Sequence, residues 1–229
     1  MRRIRFETNS LYHIYNRGLD KQKLFNDESD YLRFICGIYY FNDLNFVPHD
    51  ITSKERLQGL TLEKDPNRKE LIDIVCWCLM PNHYHLILRQ KVNNGITKFG
   101  RRVGTGYTMY INAKYKHSGH VFQGPFKAKS IENDEYFQHL TRYIHLNPLE
   151  IIEPKWKECG VKNTETSKNF ILKYKWSSLN DYLNPEHLSI SLLTSRLYKD
   201  FLFADKPEEY KKFLWDWLEK GTFKEFHFF

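Results

Sequence analysis

Apolar and polar residues alternate through Leu11-Tyr-His-Ile-Tyr-Asn16, which predicts a strand closed by Arg17-Gly18. Asn26-Asp27-Glu28 offers helix-start residues, and Tyr31, Phe34, Ile35, Ile38, Tyr39 and Leu44 then recur at helical spacing. Residues 48–70 are polar and contain Pro48, Gly59 and Pro66; they predict a surface excursion with a short helix around Lys54 to Leu60. Leu71 to Leu79 is a near-continuous apolar run of strand type. Met80-Pro81-Asn82 breaks it and His83 to Gln90 starts a second run, so the two predict a hairpin. Ile96, Phe99, Val103, Tyr107, Tyr110 and Ile111 fit a helix from Ile96 to Tyr115, although Gly100, Gly104 and Gly106 disfavour one and allow another backbone to approach.

Val121 to Ile131 reads as an irregular strand around Gly124-Pro125. Glu132-Asn133-Asp134-Glu135 marks the start of a helix that runs from about Glu135 to Leu146, where Asn147-Pro148 ends it. The order β-α-β-β-α-β-α defines an α+β arrangement of the ferredoxin-like type. After Pro154 the character shifts. Lys155 to Lys168 is polar, Trp176 to Tyr182 predicts a short helix with a Ser cap, and Ser189 to Phe203 and Pro207 to Lys220 predict two more helices. The expected division is a main domain over 1–153 and a helical extension over 154–229.

Composition narrows the function class. The chain has 229 residues, 41% apolar and 16% aromatic, which suffices for a packed core. Its formal charge is +7, and a basic, aromatic-rich chain fits phosphate contacts and base stacking. Cys36, Cys76, Cys78 and Cys159 form no C-x-x-C pair, and Cys76 and Cys78 read as small core side chains. No apolar h-region follows the basic N-terminus and no apolar run reaches spanning length, so a cytoplasmic location with no membrane partner is expected.

The chemistry concentrates on one segment. His83 and His85 flank Tyr84 on a predicted strand, so their imidazoles share a face and can converge on one divalent cation. Read alone, such a pair is more often satisfied by ordinary hydrogen bonds. On the helix near residue 140, Tyr143 and Asn147 lie four apart and project from one face. If that helix covers the histidine face, Asn147 completes a His, His, amide-oxygen set and Tyr143 stands beside it. The plain reading of Tyr143 is a core tyrosine.

Leu79-Met-Pro-Asn-His-Tyr-His-Leu86 resembles the metal-binding signature of HUH single-strand endonucleases. More narrowly, the chain resembles REP-associated tyrosine transposases, within the single-tyrosine transposases. Tyr12-His-Ile-Tyr-Asn-Arg-Gly18, Tyr107 through Tyr115 before Ser118 to Gly124, Tyr143-Ile-His-Leu-Asn-Pro148 and Trp176-Ser-Ser178 agree with it in order. The resemblance implies an HUH domain, an antiparallel sheet with helices on one face, followed by a C-terminal helical appendage. It implies Tyr143 as nucleophile, and His83, His85 and Asn147 as ligands of Mg2+ or Mn2+. The activity it implies is nicking and joining of single-stranded DNA near a hairpin through a 5′-phosphotyrosine. His145 departs from relatives with Tyr there, which leaves its role open. The alternatives are a hairpin DNA or RNA binder that no longer cuts, and a metal-dependent phosphodiesterase using water.

Candidate phosphate contacts are Arg89, Lys98, Arg101, Arg102, Lys114, Lys116, Lys127 and Lys129, with Phe122 and Gln123, and Phe126 beside them, as base-stacking or base-reading residues. The partners expected are single-stranded and hairpin DNA. A monomer is the expected state, a homodimer the alternative.

Overall fold

The computed structural model describes residues 4–46, 67–184, 193–194 and 206–220. Four strands form one antiparallel sheet: β1 (Leu11–Arg17), β2 (Ile72–Met80), β3 (His83–Gln90) and β4 (Lys127–Ile131), in the order β2-β3-β1-β4. This is the ferredoxin-like order that the element sequence predicts. Helix α1 (Glu28–Phe41) links β1 to β2, α2 (Gly95–Tyr115) links β3 to β4, and α3 (Asp134–Leu146) follows β4. Asp27 caps α1 in a capping box with Asp30, and Asn133 caps α3 by accepting from the Tyr136 amide.

Strand alternation sorts the sheet into two faces. Trp77, Leu79, Tyr84, Leu86, Leu88, Tyr12 and Ile14 face α1 and α2, where Phe34, Ile38, Phe99, Val103 and Tyr107 complete one core. Cys76, Cys78, Met80 and Ile87 face the other way, against Phe137, Leu140 and Ile144 of α3. The expected helices on one face are α1 and α2. The opposite face is also covered, by α3 and the C-terminal segment.

That segment is more helical than its polarity predicts. After α4 (Leu149–Ile152) come α5 (Trp156–Cys159) and α6 (Thr164–Lys173) within the stretch expected to be irregular; then follow α7 (Leu179–Leu183) and α8 (Pro207–Lys220). Asn163 caps α6, and its buried side is narrow, which is why a polar stretch can still form a helix. Trp156, Ile171, Tyr182, Tyr210, Leu214 and Trp217 join the second core, so the extension and the sheet share one interior. Arg142 of α3 lies 4.3 and 4.2 Å from the rings of Phe213 and Trp217, a cation–π clasp between α3 and α8. The chain at Trp176–Ser178 runs along the edge of β2: Leu79 N donates to Trp176 O, and Ser178 exchanges bonds with Trp77. Ser178 therefore protects a sheet edge rather than capping a helix by its hydroxyl.

Three smaller expectations shift. α1 stops at Phe41, short of Leu44, because Asn42 turns away to bond Leu71 N, Ile72 N and Ile72 O at the start of β2. β4 starts at Lys127, since Gly124 has φ +156° and interrupts the extended run from Val121. In α2, a Cβ on Gly100 would lie 2.2 Å from Phe126 and one on Gly106 2.3 Å from Phe41, so these glycines admit aromatic rings rather than a backbone. The helices expected near 54–60 and over 189–203 lie outside the described residues, apart from 193–194.

Candidate functional site

The second face of the sheet carries a run of polar side chains. Register places His85 opposite Tyr15 and Cys78, and His83 opposite Arg17 and Met80; Lys127 lies opposite Tyr15 and Lys129 opposite His13. A cleft beside the histidines is lined by Tyr15, Asn16, Arg17, His83, Tyr84, His85, Gln123 and Lys127. α3 crosses the adjoining part of this face and brings Tyr143 and Asn147 to the histidines.

Each histidine is fixed through Nδ1. His83 Nδ1 lies 2.6 Å from Asn82 Oδ1, which sets the tautomer: the N–H is at Nδ1 and the Nε2 lone pair points inward. Nε2 lies 3.2 Å from Asn147 Nδ2. His85 Nδ1 lies 2.9 Å from His13 Nε2, so its Nε2 is the nitrogen that can take a ligand. The His83 and His85 rings stand 5.0 Å apart at 88°, and the Tyr143 ring stands 5.7 Å from His85 at 83°. Ring nitrogens oriented by a second polar group are what metal-ligating histidines require.

Burial sets the electrostatics. Desolvation, then Arg17 and Lys157, lowers His83 to about 3; desolvation followed by His83 and His13 holds His85 well below the ordinary range. Both imidazoles are therefore neutral near pH 7, the form that coordinates metal. Burial, reinforced by Glu150, pushes the Tyr143 phenol well above its ordinary value, against a lowering influence from Arg17.

Among the described residues, no cluster of three His, Cys, Asp or Glu could hold a metal ion. The set to weigh as a metal site is therefore His83, His85 and the Asn147 amide. The donor types fit: two neutral imidazoles and a carboxamide that can turn its oxygen to either side. As placed, Asn147 presents nitrogen to His83, and its oxygen accepts from Lys157 Nζ at 3.1 Å.

The structure brings His83, His85, Tyr143 and Asn147 together, but it divides the candidate DNA contacts. Lys127 and Lys129 lie on the histidine face, and Gln123 lines the cleft. Arg89 is on the same face but paired with Asp73 at 2.9 Å, at the far end of β3. Arg102 donates to the Phe41 and Asp43 carbonyls, and Lys114 is held by Asp27 and Asp30, so both serve the fold. Lys98 and Arg101 are exposed on α2 and Lys116 just past its end, across the sheet from the histidines. The single track expected from 98 to 129 is thus split between two layers, because α2 packs on the other face. Phe122 is buried against Tyr84 and Tyr107, a core position rather than a stacking platform. His145 turns away from the histidine pair, with Nδ1 2.5 Å from Tyr210 Oη and Nε2 2.8 Å from Ser178 Oγ.

Sequence reasoning gave no role to His13, Arg17, Asn82 or Lys157. Period-two alternation of β1 carries the signal for His13 and Arg17 once β1 is paired with β3. Nothing local marks Lys157, which reaches the site from the segment after Pro154.

Fold and site together define a class: a four-stranded ferredoxin-like α+β protein with a histidine pair on one sheet face and a tyrosine helix laid over it. Residues 52–147 match the family model described as "Transposase IS200 like", which spans β2 through α3 and bears out the resemblance to single-tyrosine transposases. No curated protein matches the chain. A solved structure of a REP-associated tyrosine transposase bound to a REP hairpin is similar at 15% identity, over 78% of this chain and 81% of that one, with a TM-score of 0.48. No helix among the described residues is long and apolar enough to cross a membrane.

Proposed function

We propose that this protein is a single-strand DNA nicking and joining enzyme of the transposase type, acting near hairpin DNA. The observation that carries the reading is the convergence of Tyr143, Asn147, His83 and His85 on one sheet face from two separate elements. Tyr143 is the nucleophile. Its oxygen bonds to the phosphorus of a single-strand phosphodiester, the P–O3′ bond breaks, and a 3′-hydroxyl and a 5′-phosphotyrosine remain. The linkage conserves the phosphodiester, so a second 3′-hydroxyl reverses the step without ATP.

His83, His85 and Asn147 are the residues that would hold Mg2+ or Mn2+. When bound, the ion supplies Lewis-acid polarisation of the scissile phosphate. His13 and Asn82 orient the two imidazoles. Arg17 and Lys127, at the cleft mouth, hold the strand by its phosphates, with Lys129 beyond. Gln123 is placed to meet an unpaired base.

The raised pKa of the buried Tyr143 phenol favours one competing reading, in which water attacks and Tyr143 is structural. Ala at both His83 and His85 tests the metal role. We expect Mn2+ binding, followed by electron paramagnetic resonance, to be lost, nicking to fall by at least 100-fold, and hairpin affinity to stay within threefold. Full nicking by that double variant in chelator would overturn the proposal.

A further inference from the structure

Lys157 belongs to the short helix α5, in the segment that sequence reasoning sets apart from the catalytic unit. Its ammonium nevertheless sits in the site. Nζ donates to Tyr143 Oη at 3.0 Å and to Asn147 Oδ1 at 3.1 Å, and it is ion-paired with Glu150. It also lies 4.4 Å from the centre of the Tyr143 ring. The stem is half-buried beside Trp156, and a C-terminal core that includes Trp156 and Trp217 holds α5 in place. Few geometries tie an ammonium at once to a tyrosine oxygen, to the amide beside a histidine pair and to a carboxylate. Glu150 anchors this cation; alone, its charge would oppose negative charge on the nearby phenol.

We infer that Lys157 is a catalytic residue of the reaction proposed above, on which this inference rests: its ammonium binds the Tyr143 oxygen and stabilises the negative charge that oxygen carries. In the forward step the Tyr143 Oη–P bond forms and the P–O3′ bond breaks. The phenolic proton passes to solvent, and the departing 3′-oxygen takes a proton from solvent. In rejoining, the 3′-hydroxyl oxygen bonds to phosphorus, the Oη–P bond breaks, and the phenolic oxygen departs toward Lys157. The lysine remains an ammonium throughout, so no proton is gained or lost by it. A preplaced cation at an oxygen that changes charge is the electrostatic device that lowers barriers most in sites shielded from water.

The test uses the full chain and a hairpin oligonucleotide on which it forms a covalent adduct. Lys157→Met should lower single-turnover nicking by 100-fold or more at saturating Mn2+, with hairpin affinity within threefold of the parent. Lys157→Arg should retain more activity than Lys157→Met. Lys157→Cys should be as slow as Lys157→Met, and alkylation with 2-bromoethylamine, which rebuilds an ammonium, should restore at least tenfold. Neutral iodoacetamide should restore nothing. The same treatments of the parent control for Cys159, the exposed cysteine among the four. Nicking by Lys157→Met within threefold of the parent would overturn the inference, as would a loss that disappears at saturating Mn2+ or equal rescue by the neutral reagent. Tyr143→Phe run in parallel separates the two proposals: if it still forms the adduct, the underlying reading fails; if it does not, the Lys157 results judge this inference alone.

Discussion

At the scale of single residues, burial keeps histidines neutral both beside the site and behind it. His13 and His145 are both lowered to about 3, in each case chiefly by burial. An unfolded histidine titrates near 6.5, so below that pH the unfolded chain gains protons that the folded chain refuses. The stability contributed by keeping these groups neutral is complete above about pH 6.5 and is lost as pH falls toward 3. Between pH 7.5 and 5.5 each such histidine should cost roughly 1.4 kcal/mol of stability. Urea unfolding in chelator should show this loss, and His145→Gln should reduce it by about one histidine's share; an unchanged pH dependence would contradict the assignment of His145 as a buried neutral group. Much at this scale was legible in the sequence. His83, His85 and Tyr143-x-x-x-Asn147 stand out by spacing, because period two and period 3.6 each project their residues onto one face. Lys157 was not legible, since its role comes from a tertiary approach that no local period encodes.

At the scale of elements, α3 is the part that must not move, and it is held from both sides. One side packs on β2 through Cys76, Cys78 and Ile144. The other is gripped by α8, through the Tyr210–His145 bond and the Arg142 clasp on Phe213 and Trp217. Leu214 is fully buried in this layer, so Leu214→Ala should destabilise the protein by roughly 2–5 kcal/mol, measured by denaturant unfolding. A chain ending at residue 153 should lose cooperative unfolding, because Phe137, Leu140 and Val75 would face water. A well-folded 1–153 fragment would contradict the shared core. The first three strands and the four long helices could be read from periodicity within a few residues, whereas β4 starts six residues after the expected Val121. The helices α5 and α6 could not, because their apolar positions are few and their burial depends on partners distant in sequence.

At the scale of the whole molecule, the net charge of +7 is not spread evenly with respect to the site. Arg17, Lys127 and Lys129 stand on the histidine face, whereas Arg102 and Lys114 are consumed in holding α1 and α2 together. Charge composition fits a nucleic-acid partner without singling one out, and it could not say which lysines share the histidine face, since that depends on which sheet face each helix covers. Alanine at both Lys127 and Lys129 should weaken hairpin binding alike for different base sequences and flatten the salt dependence by roughly one to two units of log–log slope. Affinity that ignores salt would refute the electrostatic account. Light scattering is expected to give a monomer, and a stable dimer at micromolar concentration would overturn that expectation.

The central claim is that Tyr143 attacks phosphorus. Tyr107 and Tyr110 lie on α2, under the opposite face of the sheet, and Tyr115, at the end of the same helix, bonds Asp30. Tyr143 stands beside His85 and one turn from Asn147. The decisive measurement is mass spectrometry of the denatured protein after reaction with a hairpin-bearing single strand and Mn2+. The account predicts a nucleotide on the peptide containing Tyr143, and neither adduct nor nick with Tyr143→Phe, whose fold and hairpin affinity should be unchanged. An adduct on another tyrosine, or undiminished nicking by Tyr143→Phe, would contradict it.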